Sequence, residues 1–146
     1  GSVGIEAALL VSPGQVTAVE QKDERLVEIR ENQHRFQVSN LEVVQAELPE
    51  GLPESSKPDR IFIGGGGEKL PEIMAEAAKR LVQGGIMVVN TVLLENVQAA
   101  KQTMQDIGLQ TDLLQIQVSR SKDMPWGQRL QAQNPVWIVQ GIKGND

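Results

Sequence analysis

The runs Asp112-Leu113-Leu114-Gln115-Ile116-Gln117-Val118-Ser119 and Val136-Trp137-Ile138-Val139-Gln140 decide how this chain folds. Both are strand-like, and no helical pattern of apolar residues separates them. Two strands joined without a crossover helix are most simply an antiparallel pair. Their connection, Arg120 to Pro135, is long and mostly polar and contains Pro125 and Trp126. It reads as a loop that closes like a lid over a ligand.

Upstream the rhythm differs. Val3 to Leu10 continue as an Ala-rich helix, and Pro13-Gly14 turns into a strand, Gln15 to Glu20. Leu26, Ile29, Gln33 and Phe36 recur at helical spacing, which predicts an amphipathic helix over roughly Asp23 to Phe36. A short strand, Leu41 to Ala46, precedes a loop from Pro49 to Pro58 and the apolar strand Arg60 to Ile63. Pro71 sits near a helix start, Ile73, Ala77 and Leu81 face inward, and Gly84-Gly85 ends the helix. Ile86 to Val89 is a buried strand, and Val97, Ala100, Met104 and Ile107 mark a helix closed by Gly108. This alternation argues for a parallel sheet covered by helices on both faces. The predicted fold class is α/β: a mostly parallel, Rossmann-like sheet ending in an antiparallel C-terminal hairpin. That is the architecture of class I S-adenosylmethionine-dependent methyltransferases. A dinucleotide-binding dehydrogenase would more often continue strand–helix–strand.

Composition narrows the partners. The 146 residues, 40% of them apolar, suffice for one domain with a real core, and we read residues 1–146 as one. The absence of cysteine excludes disulfides and thiolate metal sites and fits a reducing cytoplasm, so no metal and a cytoplasmic setting are expected. A net charge of −5 argues against nucleic acid as the main partner. No apolar run is long enough to span a bilayer, and no signal peptide is read at the start, so no membrane partner is expected. His34, the one histidine, lies among Glu31, Asn32 and Arg35 on a polar helix face and reads as solvated.

The opening Gly1-Ser2-Val3-Gly4-Ile5-Glu6-Ala7-Ala8 reads as the second half of a nucleotide-binding loop, where backbone N–H groups and a helix N-terminus meet a ligand. The competing reading is an expression scar, for which Gly-Ser is common. Glu20 ends the next apolar run about 20 residues on, the separation at which a carboxylate accepts from a ribose diol.

The segments Pro58-Asp59-Arg60-Ile61-Phe62-Ile63-Gly64-Gly65, Gly84-Gly85-Ile86-Met87-Val88-Val89-Asn90-Thr91-Val92, Val118-Ser119-Arg120 and Asn134-Pro135-Val136-Trp137-Ile138-Val139, in this order and spacing, resemble one family. It is the decarboxylating precorrin methyltransferases of cobalamin biosynthesis, in particular the carbon-15 domain of the precorrin-6Y carbon-5,15-methyltransferases. The resemblance implies methylation of carbon-15 of a ring-contracted precorrin, with loss of carbon dioxide from an acetate side chain. It also implies S-adenosylmethionine as cofactor, a homotetramer, and in some organisms a fused or partner carbon-5 methyltransferase. Members begin with a strand ending in Asp-Ile-Gly-Ala-Gly-Ser-Gly, of which Gly1 would be the last glycine. That strand normally lies at the sheet centre, between the strands ending at Glu20 and Ile63, so the natural protein is expected to be longer.

For the cofactor, this places Gly1 and Ser2 in the loop, Glu20 with Gln21 at the ribose, Ala46 and Glu47 at the adenine edge, and Gly64 at the methionyl end. Gly64 to Gly67 lack the Gly-Lys-Ser/Thr of a phosphate loop, because Glu68-Lys69-Leu70 follow. They suit close backbone approach, with Gly65 near a flat macrocycle, or else a flexible turn. Asn90 is either a hydrogen-bonding partner for a substrate carboxylate or pyrrole nitrogen, or a helix cap. Glu95 is a proton-transfer group or an acid placed by the helix dipole. Arg120 is expected to meet a substrate carboxylate. Lys122, Arg129 and Trp126 lie in the same connection, and for Trp126 and Arg129 a subunit contact serves as well as a substrate role. Two other functions fit the sequence: the same chemistry on another small molecule or a protein, and an oligomerising module without activity.

Overall fold

Alternating small apolar residues build the first pair of strands. In the computed structural model, which describes residues 2–54 and 57–144, the chain divides into two compact units, residues 1–53 and 54–146. The first unit holds α1 (Ser2–Leu10), β1 (Val16–Glu20), α2 (Asp23–Arg35) and β2 (Leu41–Gln45). β1 and β2 are parallel, with Val16 opposite Leu41 and Ala18 opposite Val43. These four side chains share a face and pack against Ile5, Ala8, Ile29 and Val38. Asn40 joins the parts: its Nδ2 donates to the carbonyls of Ala8 at 2.8 Å and Gly14 at 2.7 Å. α2 carries Asp23 and Glu24 in its first turn and His34 and Arg35 in its last, matching the helix dipole at both ends.

The second unit holds β3 (Arg60–Ile63), a 3₁₀ turn (Gly67–Lys69), α3 (Leu70–Arg80), β4 (Ile86–Thr91) and α4 (Leu94–Asp106). β5 (Leu109–Ile116), β6 (Ser119–Met124), β7 (Gly127–Ala132) and β8 (Val136–Lys143) complete it. Its main sheet has the order β3-β4-β8-β5, with β3 and β4 parallel and β8 antiparallel to both neighbours. Met87 and Val89 of β4 lie opposite Gly141 and Val139 of β8, and all four are buried. The helices bury Met74, Ala77 and Ala78 of α3 and Val97, Ala100 and Met104 of α4. Each fully buried methionine contributes about 1.5–3 kcal/mol. A Cβ at Gly141 would stand 2.8 Å from Leu109 Cδ1 and 2.9 Å from Met104 Sδ, so glycine there permits α4 to approach the sheet. Lys143 donates from Nζ to the carbonyls of Ala78 (3.0 Å) and Leu81 (2.7 Å), satisfying the C-terminal end of α3 with a cation.

The antiparallel pairing of the last two long strands is as expected, with β5 running from Leu109 to Ile116 and β8 reaching Lys143. The connection Arg120 to Pro135 is not the expected lid loop. It is a β-hairpin, six paired positions from Ser119 opposite Ala132 to Met124 opposite Gly127, closed by the two-residue turn Pro125-Trp126. Every residue of β6 and β7 is exposed. With neither face buried the sequence had no apolar alternation to show, and the strands went unread. Among the described residues β1 pairs only with β2, and β3 only with β4.

Candidate functional site

Parallel strands gather their exit loops at one edge of a sheet, where open α/β folds bind ligands. In the second unit that edge is made by Gly64 after β3 and by Asn90 to Leu93 at the end of β4. Because β8 runs the other way, its start lies at the same edge, with Trp137 opposite Thr91. Gly64, Gly65, Gly67, Asn90, Thr91, Asn96 and Val136 are among the residues that line a pocket of about 370 Å³ there. The glycines have distinct reasons. Gly66 (φ 123°) and Gly67 (φ 52°) occupy the left-handed region, and a Cβ on Gly66 would lie 3.1 Å from Leu70. Gly65 has nothing within 4 Å of where a Cβ would be, so the fold does not exclude a side chain there. Bare backbone at Gly65 leaves the pocket open on that side.

Asn90 is the unusual group. Its Oδ1 is buried and accepts no hydrogen bond, alone in this respect among the described side chains. A buried unsatisfied acceptor costs about 1–3 kcal/mol, so its retention asks for a donor from outside the chain. Capping does not explain it. The hydroxyl that accepts from the Leu93 N–H, at 3.1 Å, belongs to Thr91. Asn96 was missed by sequence reasoning, although an asparagine inside a helix that favours other residues was the available signal. Glu95 is exposed on the first turn of α4 and does not line the pocket, and Arg120 lies on the exposed hairpin.

In the first unit the carboxyl ends of β1 and β2 carry the residues expected at a nucleoside. Glu20 Oε1 accepts the N–H groups of Gln21 and Lys22, each at 3.0 Å. Its Oε2 lies 3.8 Å from Arg25 Nη1, and the side chain is 19% exposed. The carboxylate is therefore pinned by its own following amides, with Oε2 left to accept from a ligand hydroxyl, which fits a ribose diol. The Ala46 N–H donates to the Glu20 carbonyl at 3.2 Å, so Ala46 is held beside Glu20 and is half-buried, whereas Gln21 and Glu47 are exposed. Ser2 is the exposed first residue of α1, and Gly1 lies outside the described residues.

A more open depression of about 500 Å³, lined by Arg30, Gln33, His34, Gln37, Val38 and Ser39, lies where α2 turns toward the start of β2. It is at the amino end of that strand, and Gln33 Nε2 is already committed to the Leu41 carbonyl at 2.8 Å. The pocket beside Asn90 is the better candidate. No group of three or more His, Asp or Glu side chains suitable for a metal occurs among the described residues.

A parallel β3–β4 pair, an antiparallel β8 set between β4 and β5, and ligand-facing strand ends define the fold of the class I S-adenosylmethionine-dependent methyltransferases. The chain belongs to the precorrin methyltransferase domain family, whose sequence profile matches residues 1–143. It is 37% identical over 146 residues to a Sulfurisphaera tokodaii protein named probable cobalt-precorrin-6B C(15)-methyltransferase (decarboxylating), covering 98% of this chain and 75% of that one. The cobalt-precorrin-6B C(15)-methyltransferase (decarboxylating) of Salmonella typhimurium is 34% identical over 140 residues, covering 95% of this chain and 72% of that one. The crystal structure of precorrin-6y C5,15-methyltransferase from Geobacter metallireducens superposes with a TM-score of 0.90 at 34% identity, covering 97% of this chain and 75% of that one.

Proposed function

We propose that this domain methylates carbon-15 of a cobalt-precorrin, using S-adenosylmethionine, and promotes loss of carbon dioxide from an acetate side chain in cobalamin biosynthesis. Its relatives carry that name, and the observation that carries it in this chain is the glycine-walled pocket around the unpartnered Asn90 Oδ1. When bound, S-adenosylmethionine supplies a methyl group already activated on sulfur. The chain's task is then positioning and exclusion of water.

In the first unit Glu20 Oε2 accepts from ribose hydroxyls with Gln21 beside it, Ala46 and Glu47 edge the adenine, and Ser2, with Gly1, continues the loop. In the second unit Gly64 and Gly65 admit ligand against bare backbone. Asn90 Oδ1, an acceptor, suits an N–H or O–H donor of the bound ligand and opposes a carboxylate, which disfavours the carboxylate contact open from sequence. Decarboxylation breaks a carbon–carbon bond, leaves its electron pair in the conjugated ring and requires a proton on carbon. Glu95, exposed next to the pocket residue Asn96, is the proposed carrier of that proton, and Arg120 the partner of a substrate carboxylate. A cysteine-free chain supports a cytoplasmic setting, and the family resemblance supports a homotetramer and a fused or partner carbon-5 methyltransferase. Among the described residues no helix is long and apolar enough to cross a membrane.

The test starts with calorimetric titration of S-adenosylhomocysteine into the full-length protein, followed by turnover with cobalt-precorrin-6B and methyl-labelled S-adenosylmethionine. Label in the product together with released carbon dioxide is the expected result. Failure to bind the nucleoside, or binding without transfer to the precorrin, would overturn the proposal.

A further inference from the structure

Two carboxamides line the pocket at the end of β4. Asn90 belongs to the strand, and Asn96 is the third residue of α4, half-buried beside the buried Val97. Asn90 Oδ1 accepts no hydrogen bond, and the Asn96 side chain makes none with any described residue. A polar side chain at the third helical position ordinarily reaches back to the N–H of the residue before the helix. Here that N–H, of Leu93, donates to Thr91 Oγ1 at 3.1 Å, so Asn96 is released from capping. Asparagine is also a poor helix former, so propensity does not account for it either. No described residue that lines the pocket is ionisable: glycines and apolar side chains such as Leu70 and Val136 surround Asn90, Thr91 and Asn96.

From these observations we infer that Asn96, with Asn90, forms a subsite for an uncharged, flat group that carries an N–H or O–H donor beside an acceptor. A carboxamide offers two N–H donors and one acceptor oxygen. Asn90 Oδ1 asks for a donor, and the free Asn96 amide can donate to an acceptor next to it. Ionised groups are disfavoured in the same place. A carboxylate would give up its water with no cation to pair with, and an ammonium would find no acid. The edge of a nitrogen heterocycle meets these requirements together. At about 370 Å³ the pocket is near the lower end of small-molecule sites, which suits one edge of a larger ligand. The subsite therefore sorts the parts of a ligand: an uncharged ring edge enters, and charged substituents stay outside. The inference rests on the proposed function only in taking that edge to be part of the methyl acceptor.

Pyrrole-2-carboxamide is the probe and pyrrole-2-carboxylate its charged counterpart, each titrated into the full-length, nitrogen-15-labelled protein. The side-chain NH₂ signals of Asn90 and Asn96 are followed by NMR. The amide is expected to shift both signals with millimolar affinity, and the carboxylate to bind at least about tenfold more weakly. Asn96→Asp places an acid in the first turn of α4, where the helix dipole favours it, so the thermal midpoint should hold or rise. Affinity for the amide should nevertheless fall by about tenfold, because the new charge occupies a pocket without a counterion. Asn96→Ala should weaken the amide by about fivefold or more and leave the midpoint unchanged or higher. Gln98→Asp, an equal charge change at an exposed position of the same helix, should keep affinity within about twofold. The inference is overturned if the amide leaves the Asn96 signal unmoved, if the carboxylate binds as well, or if Gln98→Asp weakens binding as much as Asn96→Asp. A midpoint that falls with affinity in both Asn96 variants would overturn it too, by showing the side chain to be structural. Binding of the amide by a protein that transfers no methyl group to cobalt-precorrin-6B would sink the proposed function and leave this subsite standing. Turnover of that precorrin by Asn96→Ala at the wild-type rate would do the reverse.

Discussion

The β6–β7 ladder is nested in the connection of the β5–β8 ladder, and the two share antiparallel geometry, with six and eight paired positions respectively. Their side chains live in different worlds. β8 buries Val139 completely and needs glycine at 141 to fit beneath α4, whereas no hairpin residue is buried. Backbone hydrogen bonding is alike in the two, so the difference in stability comes from apolar burial. A two-stranded hairpin on its own is marginal in water. The like-charge pair Lys122–Arg129, directly opposed across the hairpin, lowers its stability further.

The sharpest way to break this comparison is paired truncation. Met104→Ala, at a fully buried position, should lose about 2–5 kcal/mol in urea unfolding, while Leu130→Ala in the hairpin should lose under about 0.5 kcal/mol. Comparable losses would mean that the hairpin is packed against something. Next in size, Gly141→Ala should cost about 1–3 kcal/mol, because a methyl group there is driven into Leu109 and Met104. An unchanged midpoint would show that α4 yields easily. A lysine pair sharpens the contrast further. Lys143→Met strands the carbonyls of Ala78 and Leu81 and should cost about 1–2 kcal/mol, whereas Lys122→Met should not lower stability measurably. Smallest in stability, and of opposite sign, is Asn90→Leu. Removing an unsatisfied acceptor should leave the midpoint unchanged or raise it by up to about 1 kcal/mol, while methyl transfer falls by about tenfold or more. A clear loss of stability there would identify Asn90 as structural.

Much of the fold was legible because burial leaves a period. Ile73, Ala77 and Leu81, and Val97, Ala100 and Met104, announced α3 and α4 at helical spacing, and all six are buried. The hairpin was illegible for the converse reason. Its strands are amphipathic only in charge, and that pattern emerges once the register aligns Lys122 with Arg129. At the site, Gly64 and Gly65 were readable as bare backbone after a strand. Asn90 was readable as a polar residue at a strand end, but cap and ligand contact could be separated only when Thr91 proved to hold the Leu93 amide. Asn96 reaches the pocket from a helix, where the chain gave no cue to which side faced it. The chemistry itself came from resemblance, since Glu20, Asn90 and the glycines would serve many acceptors.

The place of β8 between β4 and β5 also dictates a schedule of manufacture. On the ribosome β8 is synthesised after both of its neighbours, so β4 and β5 emerge with the edges that will face each other still bare. The sheet cannot be sealed until its final strand slides into the middle, and every long-range ladder it makes waits on that event. The hairpin, whose partners are adjacent in sequence, can assemble well before. A nascent chain stalled near Pro135 would therefore carry a finished arm on an unfinished sheet, with two open edges for chaperones to guard.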